Sequence, residues 1–383
     1  MRVLFVPRED GDRVFGGDVV QMEATARELR EIGVEVEIGP AERACEAAFD
    51  IVHLWTSLHL PDKLERQLDV LAPVRGKARV ALSTIWAPHH TLRWMHAARR
   101  WLFESTGDRG SLDIENARDT LEQIARRSVD ITVDGATLTA WTAHPSTAAC
   151  RGVLARIDTI LPNSWMELAA IFTYLGDFCS YAVIPNAVDA TLFTAGTPAA
   201  VPAELQSAPF ALMAARFDAR KQQDFVLLAL KNTEYPLVFV GDATDPEIFA
   251  RFRDLGSRRK APVYYFPAIP QQQLRHLYAA ARIHLLPSLF ESPGLSSLEA
   301  LLADTAIVVG NLGFESEYFG DAAYYCDPCD AWSILRATQR AWNRYEIDAE
   351  LRARGRRRIL ADFTWSAAAK ATLQAYERAL ENR

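Results

Sequence analysis

Two glutamates separated by seven residues are the side chains of this sequence best placed to do chemistry. Glu291 lies in a turn with Pro293 and Gly294, after an apolar run typical of a strand, and Glu299 lies in the helical pattern that follows. In an open α/β sheet, the loop after a strand faces the crevice in which ligands bind. Carboxylates only accept hydrogen bonds, so two of them suit a ligand rich in hydroxyl donors, such as a sugar and a ribose. The sequence therefore predicts a polyhydroxylated ligand here, with a phosphate at the start of the helix.

Two basic residues after another strand-like run could act on the same ligand. Arg216 offers a planar fork of donors and Lys221 a compact point charge, and both types stabilise negative charge on a departing phosphate. Arg220 is an equally basic neighbour. The spacing alone does not distinguish a phosphate clamp from two solvated loop cations.

Five segments, in the same order along the chain, resemble the retaining GT-B glycosyltransferases of family 4. They are the Glu-x7-Glu motif, the Arg-x4-Lys spacing, a hinge that reads Val-Ile-Pro-Asn-Ala-Val-Asp, a Gly-Gly pair before the first helix and a Phe-Thr-Trp segment before the last one. Each segment alone is a weak signal. Together they span nearly the whole chain, so the resemblance is specific.

The resemblance implies a role for each of these residues. Arg216 and Lys221 would hold the donor diphosphate, Glu291 would contact the donor sugar, and Glu299 would bind ribose. We therefore expect Arg216, Lys221 and Glu291 to be catalytic, with no metal and no cofactor besides the donor substrate. The remaining donor-binding positions, which would act through backbone N–H groups or close backbone approach, are Gly16, Gly17, Gly294, Leu295 and Ser296.

The chain departs from the family pattern at two places. The glycines often found before the arginine and after the lysine are replaced by Ala215 and Gln222, which leaves the conformation of this loop open. The histidine often found after the fourth strand is replaced by Ile85 or Trp86. The second departure bears on whether the protein catalyses a reaction at all.

The resemblance implies a retaining glycosyltransferase that moves a hexose from a UDP- or GDP-sugar to a hydroxyl acceptor, in polysaccharide or glycolipid synthesis. The expected acceptor is a saccharide or a lipid-linked saccharide. A non-catalytic nucleotide-sugar-binding protein is the alternative that the altered histidine position favours, although His89 or His90 could reach the sugar instead. An epimerase fits the hinge and the carboxyl-terminal segment less well. The base, the sugar, the acceptor and the oligomeric state stay open.

Composition agrees with an ordinary enzyme of two domains. A chain of 383 residues is too long for one core, and 49% apolar with 24% charged residues is typical of globular proteins. The net charge of −7 predicts no nucleic-acid partner. We predict no transmembrane helix and no signal peptide, hence a cytoplasmic protein, with peripheral membrane contact left open for an aromatic and basic cluster at 93–103.

Strand-like runs alternate with helical patterns in two successive sets, which predicts an α/β protein with two Rossmann-like domains. The resemblance implies that they form the GT-B architecture, with a cleft between them. It further implies an acceptor-side domain at 1–188, a nucleotide-sugar-binding domain at 189–365 and a helix at 366–383 that crosses back to the first domain. The segment 195–209 is expected to be an exposed connector, and Cys326 and Cys329 to be ordinary thiols in a loop. The predicted strands are Arg2–Val6, Glu35–Ile38, Ile51–Leu54, Arg79–Ser83, Thr159–Leu161, Tyr181–Ile184, Phe210–Ala214, Leu237–Val240, Val263–Phe266, Ile283–Leu286 and Ala306–Val309.

Overall fold

The computed structural model describes residues 1–9, 16–87, 145–176 and 180–381. The chain divides into two compact units, each described here by itself. The first unit is Met1–Pro185 together with Trp365–Arg383, and the second is Asn186–Thr364. The sequence predicts these divisions at 188/189 and 365/366.

The first unit is built on a six-stranded parallel sheet with the order β2-β1-β3-β4-β5-β6. Its central strands are buried apart from a half-buried arginine at the start of two of them, as expected for a parallel sheet with helices on both faces. The strands are β1 Arg2–Val6, β2 Glu35–Ile38, β3 Ile51–Leu54, β4 Arg79–Ser83, β5 Thr159–Leu161 and β6 Ser180–Tyr181. The described helices before the second unit are α1 Gly17–Glu31, α2 Arg43–Glu46, α3 Pro61–Val70, α4 Pro145–Leu154 and α5 Trp165–Leu175.

Helix ends in the first unit follow from local residues. After α1, Gly33 adopts a φ of +86°, the left-handed conformation that commonly stops a helix and that glycine adopts without strain. At the start of α5, the hydroxyl of Ser164 accepts a hydrogen bond from the backbone N–H of Glu167 (2.9 Å). The Glu167 carboxylate in turn accepts from the backbone N–H groups of Asn163 and Trp86, both at 2.8 Å, and so fixes the loop after β4.

The second unit holds another six-stranded parallel sheet, with the order β12-β11-β10-β7-β8-β9. Its strands are β7 Ala211–Ala214, β8 Leu237–Val240, β9 Val263–Phe266, β10 Ile283–Leu286, β11 Ala306–Gly310 and β12 Ala323–Cys326. Its helices are α6 Ala190–Thr194, α7 Gln223–Ala229, α8 Pro246–Ser257, α9 Gln271–Ala280, α10 Leu295–Leu302, α11 Glu315–Phe319, α12 Ala331–Asn343 and α13 Ala349–Asp362. Both sheets are the parallel, Rossmann-like type that the sequence predicts.

Two local predictions need correction. The edge strand β12 is absent from the predicted set, and β6 lies at Ser180–Tyr181 rather than at 181–184. The segment 195–209 is largely exposed, as predicted, but Val201 and Leu205 anchor it in the core of the second unit. A side-chain carbon at Gly196 would lie 2.5 Å from the carbonyl oxygen of Arg275, so this segment packs closely on α9.

The last helix, α14 (Trp365–Glu381), belongs to the first unit and packs against α1. Its buried Tyr376 places the phenol oxygen 2.6 Å from Nδ1 of His53 on β3. Nε2 of the same histidine lies 2.9 Å from the hydroxyl of Ser83 on β4. Burial lowers the pKa of His53 to about 3, so the imidazole is neutral and joins α14 to the sheet.

Candidate active site

The second sheet has one place where the strand order reverses, between β7 and β10. Read from the far edge, the order is β9-β8-β7-β10-β11-β12. The strands that follow β7 in sequence, β8 and β9, lie on one side of it, and the strands that follow β10, β11 and β12, lie on the other side. Loops at the carboxyl ends of two such strands border a crevice, which is where open α/β sheets bind ligands. The β7 loop carries Arg216 and Lys221, and the β10 loop carries Glu291. The topology therefore brings the predicted site residues of this unit to one end of its sheet.

Backbone and amide hydrogen bonds join these two loops. The backbone N–H of Leu289 donates to the carbonyl oxygen of Arg220 (2.9 Å). Within the β7 loop, one carboxylate oxygen of Asp218 accepts from the backbone N–H groups of Arg220 and Lys221, each at 3.0 Å. The loop is thus held from inside and from its neighbour, which fixes where its cations point.

Gln222 occupies the position where the family pattern often has glycine, and it adopts a left-handed backbone, with a φ of +63°, of the kind that glycine adopts without strain. That conformation is strained for a residue with a side chain. Here the buried amide compensates, because its Nε2 donates to the carbonyl oxygens of Pro287 (2.9 Å) and Pro328 (3.0 Å). The replacement therefore keeps the turn and adds a bond to the β10 loop.

The centre of the candidate site is a carboxylate shared by two cations. Nζ of Lys221 lies 2.5 Å from Oε1 of Glu291, and Nη1 of Arg220 lies 3.1 Å from Oε2. Glu291 is only 5% exposed. Burial alone raises the pKa of this carboxyl, but Arg220 and Lys221 outweigh it and lower the pKa to about 2. Burial also lowers the pKa of Lys221, whereas the negative charge of Glu291 acts to raise it.

Arg216, the predicted partner of Lys221, lies outside this cluster. Its side chain is 38% exposed, and its Nη2 lies 3.7 Å from a carboxylate oxygen of Asp218, beyond hydrogen-bond distance. The cation that contacts Glu291 beside Lys221 is Arg220. The sequence does contain that signal, since Arg220 precedes Lys221 directly, but spacing cannot tell which neighbour faces the carboxylate.

Glu299 has a different environment from Glu291, although both belong to one motif. It is 7% exposed on α10, where Oε2 accepts from the hydroxyl of Tyr278 (2.8 Å) and Oε1 lies 3.4 Å from Nε2 of Gln271. Burial raises the pKa of this carboxyl to about 7, and the Tyr278 hydrogen bond opposes that rise only in part. The motif therefore combines an acid that is ionised at all physiological pH values with one that titrates near neutrality.

The turn between the two glutamates requires glycine. Gly294 has a φ of +82°, and a side-chain carbon there would lie 2.6 Å from Cδ2 of Leu286. The residue precedes α10, and its carbonyl oxygen accepts from the backbone N–H of Ser297 (2.9 Å). Leu295 and Ser296 form the first turn of this helix, where N–H groups have no partner within the helix and suit an anion.

A third carboxyl, at the start of α11 just after the β11 loop, adjoins the cluster and was not predicted. Glu315 is 1% exposed, and neither carboxyl oxygen has a hydrogen-bond partner within the part of the chain that the structure describes. Burial raises the pKa of Glu315 well above its usual range. The loop reaches the β10 loop closely, because Phe314 donates its N–H to the carbonyl oxygen of Glu291 (2.8 Å). A side-chain carbon at Gly313 would lie 2.3 Å from that oxygen.

The predicted glycines of the first unit flank a separate cavity. Gly16 caps α1 with an extended backbone and Gly17 is the first helical residue. A cavity of about 180 Å³ lies beside them, at the point where the first sheet reverses between β1 and β3. Nε of Arg8 and a carboxylate oxygen of Asp18 form an ion pair at 2.9 Å on its wall. Its lining residues are Pro7, Arg8, Asp18, Val19, Met22, Glu23 and Trp55.

The loop after β4, where the family often has histidine, holds Ile85 and Trp86. Ile85 adopts a φ of +42° and Trp86 is buried. His89, His90 and the aromatic and basic cluster at 93–103 lie outside the described residues. Across the ranges that are described, no group of three or more His, Cys, Asp or Glu side chains could hold a metal ion. No helix in those ranges is long and apolar enough to span a bilayer.

The paired cysteine segment is ordinary in structure. Cys326 is buried at the end of β12 and donates its thiol to the carbonyl oxygen of Val309 (3.3 Å). Burial raises the pKa of Cys329 to about 12, so this thiol is unreactive at neutral pH. Both cysteines are free.

Comparison of the sequence with known proteins finds a family match within the second unit. Residues 200–358 match the family described as Glycosyl transferases group 1. O-antigen chain mannosyltransferase B of Escherichia coli is 28% identical over 46% of this chain, which spans about half of that protein (49%). Alpha-maltose-1-phosphate synthase of Mycobacterium tuberculosis is 24% identical, and 99% of each chain is covered.

Solved structures show the same fold. The Anabaena protein Alr3699/HepE in complex with UDP-glucose has a TM-score of 0.67 at 13% identity and covers all of this chain and 99% of its own. Two six-stranded parallel sheets with flanking helices, together with such neighbours, define the GT-B fold. The family match and the fold together support a glycosyltransferase of the GT-B class.

Proposed function

We propose that this protein is a retaining, metal-independent glycosyltransferase of family 4 that moves a hexose from a UDP- or GDP-sugar to a hydroxyl acceptor. The observation that carries the proposal is the ionised Glu291 between Lys221 and Arg220 at the strand-order reversal. Cations and a fixed carboxylate at this end of a Rossmann-like sheet suit a diphosphate joined to a sugar. The names of the relatives, a mannosyltransferase and a maltose-1-phosphate synthase, support a hexose.

The chemistry follows from the charges. In the proposed reaction the acceptor oxygen bonds to the anomeric carbon on the face from which the diphosphate departs, and the bond from that carbon to the phosphate oxygen breaks. The acceptor proton passes to a phosphate oxygen. Lys221 and the exposed guanidinium of Arg216 would stabilise the negative charge that develops on the leaving phosphate.

The two glutamates would bind different parts of the donor. Glu291, ionised and fixed, would orient the sugar hydroxyls or stabilise positive charge on the sugar ring. Glu299 would accept from the ribose hydroxyls once it is ionised. The backbone N–H groups of Gly294, Leu295 and Ser296 would face the phosphates.

The acceptor is proposed to be a saccharide or a lipid-linked saccharide, and the product a polysaccharide or glycolipid. The loop with Gly16 and Gly17 and the adjacent cavity are where an acceptor or a phosphate would approach the backbone of the first unit. A non-catalytic nucleotide-sugar-binding protein is the second candidate, because Ile85 and the buried Trp86 stand where the family often has histidine.

Donor turnover tests the proposal. Purified protein is incubated with UDP-glucose or GDP-mannose and a panel of saccharide acceptors, with and without EDTA, and nucleotide release is measured. We expect release with one donor, unchanged by EDTA, and an α-linked product by proton NMR at the new anomeric centre. Lys260→Ala, which removes an exposed lysine, is the matched control for Lys221→Ala. Tight binding of a nucleotide without release would favour the second candidate, and a β-linkage would refute retention.

A further inference from the structure

Three hydrogen bonds join Arg220 to the β10 loop. Its Nη1 donates to Oε2 of Glu291 (3.1 Å) and to the carbonyl oxygen of Phe290 (2.8 Å). Its own carbonyl oxygen accepts from Leu289 (2.9 Å). One residue of the β7 loop therefore holds two consecutive backbone positions, Leu289 and Phe290, and the carboxylate of the residue that follows them.

The charges of the cluster show what this contact changes. Without Arg220, Lys221 and Glu291 would form a neutral pair, with the ammonium opposite a single carboxylate. With Arg220 present, two side-chain cations bond to the one carboxylate of Glu291. The charge of Asp218 also favours both cations, but this carboxylate accepts from their backbone N–H groups and leaves their side-chain donors to other anions. The neighbouring acid Glu315 adds no further negative charge, because a carboxyl buried without a hydrogen-bond partner is far more stable when protonated.

An ammonium group has three N–H donors in different directions. Glu291 occupies one of those of Lys221, which leaves the others for a second anion. A guanidinium that takes the other carboxylate oxygen prevents Glu291 from turning fully toward Lys221. The carboxylate also stays at one orientation, because it is bonded through both of its oxygens.

We propose that Arg220 is a positioning residue, which orients Glu291 and leaves the charge of Lys221 available to the donor diphosphate. The inference rests on the proposed function, since it names a residue that serves the same site without touching the reacting atoms. The loop should keep its conformation with glycine or a neutral residue at 220, because the hydrogen bonds of Asp218 and Gln222 do not involve the Arg220 side chain.

Two variants separate charge from geometry. Arg220→Gln removes the charge, and Arg220→Lys keeps it as a point charge without the planar guanidinium that fixes the orientation of Glu291 relative to Phe290. By calorimetry with UDP and GDP, we expect Arg220→Gln to weaken nucleotide binding about tenfold or more and Arg220→Lys by about threefold at most. In donor turnover, both variants should lose kcat, because both release Glu291.

The matched control is Arg251→Gln, which takes an arginine from the buried carboxylate of Asp224 (3.2 Å) on α7. It should lower the melting temperature and leave nucleotide affinity unchanged. Equal losses of affinity in Arg251→Gln and Arg220→Gln would mean that general destabilisation explains the effect, and would overturn the proposal. Wild-type affinity in Arg220→Gln would overturn it as well.

A second measurement needs no nucleotide. The pKa of Glu291, lowered to about 2, stabilises the fold above its ordinary value of 4.5, and this contribution is lost as pH falls toward 2. Removing Arg220 should shift this acid loss of stability to higher pH. An unchanged acid transition in Arg220→Gln refutes the positioning role. If that shift occurs but the wild type binds neither nucleotide, Arg220 still positions Glu291 and only the proposed function and its diphosphate fail.

Discussion

Glu299 should make both folding and nucleotide binding depend on pH near neutrality. Burial raises its pKa from 4.5 to about 7, so the native state keeps a proton that the unfolded chain releases between these values. Stability is therefore fully present below pH 4.5 and falls as pH rises toward 7. At about 1.4 kcal/mol for each pH unit, the loss amounts to about 3 kcal/mol at pH 8.

Nucleotide binding should respond in the opposite direction. A ribose hydroxyl donates its proton, so the ionised carboxylate is the competent form. With a pKa of about 7, roughly a tenth of the molecules are competent at pH 6 and roughly nine tenths at pH 8, which predicts about a tenfold gain in UDP affinity. Glu299→Gln should bind more weakly at pH 8 and lose this dependence.

Urea unfolding and calorimetry at pH 6, 7 and 8 test both parts. The phosphate of UDP titrates in the same range, but it does so equally with every variant, so the comparison is between variants at each pH. Glu234→Gln, a change at an exposed glutamate of the same unit, is the control for the loss of a negative charge. A difference in unfolding free energy between wild type and Glu299→Gln that stays constant from pH 5 to 8 would refute the reasoning.

Two further predictions use the remaining charges. Arg216→Ala should lower turnover by about 100-fold with little change in melting temperature, because this side chain is exposed, whereas Lys221→Ala should lower both, because Glu291 loses its closest partner. Equal melting losses in the two variants, measured beside their kinetics, would contradict this. Glu315→Gln should stabilise the protein more at pH 8 than at pH 4.5, because the raised pKa of the buried carboxyl costs stability only where the unfolded chain is ionised. Urea titrations check it, and a lower stability at pH 8 would mean that Glu315 is an ionised partner.

The sequence predicts most strands well because parallel strands are short, apolar and bounded by loops. The strands β1, β3 and β10 have the predicted limits. The edge strand β12 was not predicted, because only alternate residues of its sequence Ala-Tyr-Tyr-Cys are buried. The same pattern cannot reveal that the proline-containing segment at 195–209 packs on α9, since this depends on a close approach at Gly196.

The candidate site is predictable to the level of the loop and no further. Spacing identifies the segment with Arg216 and Lys221, but which cation faces Glu291 is decided by the Asp218 turn and the left-handed backbone at Gln222. Glu315 carries no signal in the sequence, because its importance comes from burial beside a loop distant along the chain. Charge partners of this kind are properties of the folded backbone.

The position of α14 has a consequence for how the chain is made. The second unit is one continuous stretch, so it can be complete as soon as residue 364 has left the ribosome. The first unit begins earlier but ends later, since Tyr376 must reach His53 before its sheet has all its contacts. While the second unit is translated, the first unit therefore lacks α14, and the face of α1 that α14 covers stays exposed. A fragment that ends before α14 would expose that face permanently, so shortening the chain from its carboxyl end damages the unit at the opposite end of the sequence.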